Sequence, residues 1–189
     1  MYWDWTYILV LIGMVLSLAA SAKVRSTYAK YQKVRSLSGL TGAVAAERIL
    51  HSNGIYDVAI ELVEGELTDH YDPRNKVLRL SESVYDSTSV AAVGVAAHEC
   101  GHAIQHARAY LPLKLRTAIV PAANIGAGLS WPLILVGLMI GSRSSNFFIT
   151  AGILLFSLSV LFQLVTLPVE LNASNRAVSA LADMGILYG

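Results

Sequence analysis

The chain contains the residue types and spacing of a metal-dependent hydrolase site in the run His98-Glu99-Cys100-Gly101-His102. On an α-helix, residues four apart share one face, with Cβ atoms about 5–6 Å apart. His98 and His102 can therefore bind one Zn²⁺ from the same side. Glu99 is not a ligand in this arrangement, but its carboxylate can reach a water on the metal and take its proton. The pattern predicts hydrolysis by a zinc-activated water, with Glu99 as the catalytic general base.

A catalytic zinc usually has three protein ligands, so a third ligand must lie elsewhere in the chain. His106 shares the helix face, but eight residues at 1.5 Å rise place it about 12 Å from His98 along the axis. Its simpler interpretation is a polar residue near the exposed end of the helix. Glu170 follows Pro168, where the last apolar segment should return to the side of the histidines; position alone fits a ligand and an ordinary interfacial charge equally well. Asp183 is a further candidate, with a solvated or capping position as its simpler interpretation.

The composition indicates that membrane segments position this site. Of 189 residues, 54% are hydrophobic and 14% are charged, where a soluble domain carries about 25% charge. Uncharged segments at 5–22, 117–140 and 147–167 are long enough to span a bilayer. Tyr2, Trp3, Trp5 and Tyr7 would be interfacial aromatics, and residues 142–146 would form a tight hairpin. Ala20-Ser21-Ala22 resembles a signal-peptide cleavage site, but no Lys or Arg precedes the apolar run, so a retained helix is favoured.

The distribution of basic residues predicts the orientation. Twelve of the fourteen Lys and Arg residues lie between positions 23 and 116. The rule that cytoplasmic segments are enriched in positive charge predicts an N-terminus outside and residues 23–116 in the cytoplasm. A formal net charge of +1 argues against nucleic acid as a partner. Cys100 is the only cysteine, which excludes an intramolecular disulfide.

The segment 23–116 is predicted to be a small zincin-like α+β domain. Thr41 would cap a helix at 42–53, and Ser87 or Thr88 a helix at about 89–110 that carries the two histidines. Alternating residues at 57–63 and 76–81 predict two strands, paired as a hairpin or in a sheet. The second strand could offer its edge to an extended peptide.

The chain as a whole is therefore predicted to be an α+β membrane protein, mainly helical, with about three transmembrane helices. Its predicted parts are a transmembrane helix at 1–22, the domain at 23–116, a helical hairpin at 117–167 and a helix at 168–189.

Three blocks, at 67–81, 89–105 and 167–177, resemble the YugP-like family of bacterial membrane zinc metallopeptidases, and the similarity extends over about 2–181. The resemblance implies a gluzincin-like site, in which a downstream glutamate is the third zinc ligand; that position is Glu170. In related enzymes an acidic residue one turn later supports a zinc histidine, and Ser174 stands there in this chain. Family members extend further, with another apolar segment, so this chain is expected to be a short or truncated member.

The function indicated is a membrane-anchored zinc endopeptidase that acts on protein or peptide substrates. By analogy with other membrane-tethered gluzincins, membrane and membrane-proximal proteins are among the expected substrates. Two alternatives stay open: a site-2-type intramembrane protease, and a membrane scaffold with a structural metal. Tyr71, His70 and Arg176 are candidates for stabilising the oxyanion. Gly101 is expected where another helix packs closely, and Cys100 is expected to be a small buried residue.

Overall fold

The computed structural model describes residues 6–140 and 145–186 and is mainly helical with one small sheet. The predicted class, an α+β protein with three helices of membrane-spanning length, is confirmed. In chain order the elements are α1 (Thr6–Tyr31), α2 (Gly42–Ser52), β1 (Ala59–Val63), β2 (His70–Asp72), β3 (Val77–Ser81), α3 (Glu82–Tyr85), α4 (Val90–Ala107), α5 (Leu111–Ile140) and α6 (Ser145–Asp183).

The three long apolar helices are α1, α5 and α6. α5 and α6 pack against each other through small residues: a Cβ at Gly126 would lie 2.9 Å from the Leu155 carbonyl oxygen, and one at Gly152 would lie 2.8 Å from that of Ser130. Such close backbone approach is typical of helices that associate in membranes. By contrast, none of the apolar stretch of α1 is buried. Of the predicted aromatics, Tyr2, Trp3 and Trp5 lie outside the described residues, as does most of the predicted hairpin at 142–146. Tyr7 lies in α1 and is exposed.

The sheet has three strands in the order β1-β3-β2, with β1 parallel and β2 antiparallel to β3. The two predicted strands therefore do pair, but not as a hairpin. The hairpin is made by β2, which was not predicted, and β3. Because β3 has a neighbour on each side, the proposal that segment 76–81 offers a free edge to substrate is wrong. Among the described strands, β1 and β2 each pair with β3 alone, so each of them has a free edge.

α4 crosses the hydrophobic core of the domain. Its N-cap is Ser89, whose hydroxyl oxygen accepts a hydrogen bond from the Ala92 N–H at 3.1 Å, so the predicted caps Ser87 and Thr88 lie one or two residues early. The cap satisfies an N–H that has no partner within the helix. One side of α4 is buried against α2, the sheet, α3 and the end of α6. The buried hydrophobic side chains of α4 are those of Ala92, Val93, Ala96, Ala97, Cys100, Ala103 and Ile104.

α6 is one continuous helix, and this corrects the expectation that a new helix begins near Pro168. Pro168 lies inside α6, although proline supplies no N–H to the ladder and usually bends a helix. Long apolar helices tolerate proline where neighbouring helices and hydroxyl side chains compensate. Glu170 is thus carried by the same helix as the apolar stretch before it.

Candidate metal centre

α4 presents the two histidines of the motif side by side. The rings of His98 and His102 lie 4.9 Å apart between centroids and are nearly perpendicular, at 88°. The side chain of His102 is 11% exposed and that of His98 is 29% exposed. Their positions follow from the four-residue spacing, which places both on the same face of an unbroken helix.

Glu170 reaches this pair from α6. Its Oε2 lies 3.2 Å from His98 Nε2 and 3.4 Å from His102 Nε2. One donor atom from each of these three residues lies within 4.8 Å of the other two. Two imidazole nitrogens and one carboxylate oxygen are the set that catalytic zinc takes in His₂Glu sites. The structure thus brings together the three residues predicted as ligands, and their donor atoms fit that metal.

Gly101 allows α6 to come this close. A Cβ at Gly101 would lie 2.4 Å from the carbonyl oxygen of Ala173 and 3.0 Å from its Cα. Both are backbone atoms, which cannot move aside as a flexible side chain can. The expectation that a helix packs against Gly101 is confirmed.

Each of the three candidate ligands has a polar partner behind it. Ser174 Oγ lies 3.2 Å from His98 Nδ1. The family resemblance placed a residue at this position that supports a zinc histidine. Gln105 Oε1 lies 3.1 Å from His102 Nδ1. Arg116 Nη2 lies 3.6 Å from Glu170 Oε1, on the side of the carboxylate away from the histidines. Such outer partners orient metal ligands and tune their basicity.

Glu99 lines a cleft of about 350 Å³ together with the three candidate ligands. Burial is the main cause that raises the pKa of Glu99, and the facing histidines oppose it. A carboxylate with a raised pKa is suited to accept and return protons near neutral pH. In His98, the hydrogen bond donated to Glu170 is the main cause that raises the pKa.

Tyr71 and His70 of the free-edged strand β2 also line this cleft, as does Arg116. The Tyr71 hydroxyl lies 2.8 Å from His106 Nδ1, and burial raises the pKa of Tyr71 to about 12. His106 lies outside the cluster of donor atoms found among the described residues, in agreement with the helix geometry.

The remaining candidates lie elsewhere. Arg176 Nε donates to Asn172 Oδ1 at 2.7 Å, and this side chain does not line the cleft. Asp183 is the last residue of α6 and lines a different cavity. Cys100 is fully buried, as predicted, and burial raises the pKa of its thiol.

The sequence interpretation missed two residues, Gln105 and Arg116. Gln105 lies three residues after His102 and seven after His98, so the helical period alone places it on their face. Arg116 is a cation close to the start of an uncharged apolar run, and such charges usually face a protein interior or an aqueous cavity.

A helix with the H-E-x-x-H pattern, facing a glutamate from a second helix that continues into an apolar segment, is typical of membrane-bound zinc peptidases of the His₂Glu class. The chain belongs to the family described as "Putative neutral zinc metallopeptidase", which matches residues 6–189. It is 49% identical over 179 residues to the "Putative membrane protease YugP" of Bacillus subtilis (strain 168), covering 95% of this chain and 78% of that protein. No solved structure matches the chain.

Proposed function

We propose that this protein is a membrane-anchored, zinc-dependent endopeptidase with His98, His102 and Glu170 as metal ligands and Glu99 as the catalytic base. The observation that carries the proposal is the convergence of the three donor atoms within 4.8 Å, beside Glu99 in one cleft. Zinc held there would supply a Lewis acid for the scissile carbonyl and an activated water as nucleophile.

The protein's own groups would perform the proton transfers and orient the peptide. Glu99 takes a proton from the attacking water and returns it to the leaving amine. Tyr71 is the candidate to donate a hydrogen bond to the oxyanion, because it lines the same cleft as Glu99 and the candidate ligands. The free edge of β2, which carries Tyr71, could pair with an extended peptide.

The membrane arrangement is part of the proposal. Residues 1–22 and 117–167 would cross the bilayer, 23–116 would form the catalytic domain at the cytoplasmic face, and 168–189 would supply the third ligand. The concentration of Lys and Arg in 23–116 supports this orientation. Cysteine-reactive labelling from either side of sealed vesicles, at single cysteines introduced into a Cys100→Ser background, tests it. Leu37 is exposed. Labelling of Leu37→Cys from the outside would show that residues 23–116 face outward and would refute the proposed orientation.

The two rival functions differ from the proposal in separate ways. In a site-2-type protease the motif helix lies within the bilayer. By contrast, α4 is not among the three described helices that are long and apolar enough to cross a membrane, and it packs against α2 and α3. A scaffold with a structural metal would normally close the site with a fourth protein ligand. Among the described residues the donor cluster has three members.

The test is zinc content and proteolysis of the purified full chain in detergent. Wild-type protein should hold near one zinc per chain and cleave an unfolded protein such as casein. Glu170→Ala should lose the zinc, and His106→Ala, as the matched control on α4, should keep it. Glu99→Gln should keep the zinc and lose cleavage by at least about 100-fold, within the range for a positioned acid–base group. Zinc retained in Glu170→Ala but lost in His106→Ala would refute the ligand set. Full cleavage by Glu99→Gln would refute the mechanism.

A further inference from the structure

We infer that Gln105 is a positioning residue that fixes His102 in the tautomer required of a zinc ligand and, through the same amide, fixes α6 beside it. The inference rests on the proposed metal site but not on the proposed proteolysis. Gln105 is fully buried, at 0% exposure, and buried polar side chains are retained only where their hydrogen bonds are made. All the described hydrogen-bond partners of its side chain belong to the metal centre or to α6 next to Glu170.

The orientation of the Gln105 amide follows from its partners on α6. Gln105 Nε2 lies 2.8 Å from the carbonyl oxygen of Val169, an atom that can only accept. It also lies 3.0 Å from Asn172 Oδ1. That oxygen is itself identified by Arg176, whose guanidinium has only donors and lies 2.7 Å away through Nε. Two independent neighbours therefore require the NH₂ group of Gln105 to face α6.

This orientation leaves Gln105 Oε1 facing His102. A carbonyl oxygen only accepts, so His102 Nδ1, at 3.1 Å, must carry the hydrogen. In a neutral imidazole the lone pair is then on Nε2. Nε2 is the atom that faces Glu170 and belongs to the candidate cluster. This series of hydrogen bonds thus selects the tautomer of His102 in which Nε2 is free to bind metal.

His98 differs in this respect. Its Nδ1 lies beside the Ser174 hydroxyl, which can donate or accept. That partner orients the ring without choosing a tautomer. Of the two Nδ1 atoms, only that of His102 has a partner of fixed polarity within the described part of the chain.

Gln105 also connects the backbone next to one ligand with the ring of another. Val169, whose carbonyl accepts from Gln105, directly precedes Glu170. The amide therefore holds the Glu170 segment of α6 at a set distance from the His102 ring. Loss of an outer partner of this kind typically weakens metal binding by about 10–100-fold.

The experiment compares zinc affinity, by chelator competition, in the purified full chain in detergent. Gln105→Met keeps the length of the side chain and removes its hydrogen bonds, and we expect about 10–100-fold weaker binding. Asn172→Leu should have a smaller effect, because the Val169 carbonyl still orients the amide. Ala180→Gly removes a buried methyl group from α6 and leaves the hydrogen-bond chain intact. This variant is the control for general loosening of the packing. It should bind zinc within about twofold of wild type, because a change this far along α6 from Glu170 should not alter the free energy of zinc binding.

A second measurement uses wild-type protein and therefore does not require any variant to fold. In zinc-loaded wild-type protein labelled with ¹⁵N-histidine, the Nδ1–H of His102 should exchange with water more slowly than that of His98. Equal exchange, or unchanged zinc affinity in Gln105→Met, would overturn the role of Gln105 while leaving the metal site intact. A wild-type chain that binds no zinc would instead overturn the proposed site, and the role of Gln105 with it.

Discussion

A methyl group at position 101 tests whether the close approach of α4 and α6 is required to assemble the metal centre. In Gly101→Ala the new Cβ would lie 2.4 Å from the Ala173 carbonyl oxygen, whereas ordinary contact begins near 3.4 Å. The helices must therefore separate by about 1 Å at this point, because overlap of this size is not tolerated in a packed interior. Ala173 lies less than one turn from Glu170, so the carboxylate moves with it.

The expected loss of zinc affinity depends on whether the metal-free or the zinc-bound protein carries the steric overlap. Without metal, α6 can move away and relieve most of the overlap. Binding zinc requires the ligands within about 0.2 Å of their bonding distances, so it must restore the close approach. An overpacking cost of about 1–3 kcal/mol would then oppose binding, which weakens zinc affinity by roughly 5- to 150-fold.

Gly94→Ala is the matched control on the same helix. A Cβ at Gly94 meets nothing within 4 Å. This change should leave zinc affinity unaltered and raise the free energy of unfolding by up to about 1 kcal/mol, the difference in helix propensity between glycine and alanine. Chelator competition gives the affinities and thermal unfolding gives the stabilities. Wild-type zinc affinity in Gly101→Ala would refute the argument that the helix spacing sets the site.

Three further predictions concern groups around the centre. Ser174→Ala should weaken zinc binding by about tenfold, because His98 loses the partner of its Nδ1; unchanged affinity in chelator competition would contradict this. The absorbance titration of wild type minus Tyr71→Phe should show one phenol ionising near pH 12. This folded pKa is raised above the unfolded value of about 10. The contribution of the Tyr71 phenol to the free energy of unfolding is therefore fully present below pH 10 and is lost as the pH rises toward 12; a difference titration near pH 10 would count against burial of Tyr71. Asp69→Ala should lower the free energy of unfolding in denaturant by about 2 kcal/mol, because Asp69 accepts hydrogen bonds from both the N–H and the hydroxyl of buried Ser81; a loss below about 0.5 kcal/mol would contradict it.

Local signals were sufficient to predict the motif helix and the three apolar helices. The spacing of His98 and His102 fixes their common face, and length with composition identifies membrane-spanning segments. Glu170 was harder, because a ligand on a distant helix has no local pattern. Position left its role open, and the family resemblance indicated it.

What the sequence did not reveal depends on contacts distant along the chain. β2 has three residues, His70 to Asp72, of which two are polar. A run this short cannot show the alternation of polar and apolar residues that predicts a strand. The parallel pairing of β1 with β3 is likewise set by packing. Pro168 is a local stop signal that the packing of α5 and α6 overrides. Gln105 was overlooked because nothing near it in sequence shows that Val169 and Asn172 will be its partners.

The continuity of α6 has a practical consequence for any attempt to isolate the chemistry. A soluble fragment of residues 23–116 would contain His98, His102 and Glu99, but neither Glu170 nor the Val169 carbonyl that orients Gln105. Two histidines on one helix bind zinc weakly and leave extra positions open to water or foreign donors. Detergent or lipid that preserves the α5–α6 pair is therefore a requirement for assembling the site, as much as for keeping the protein in solution.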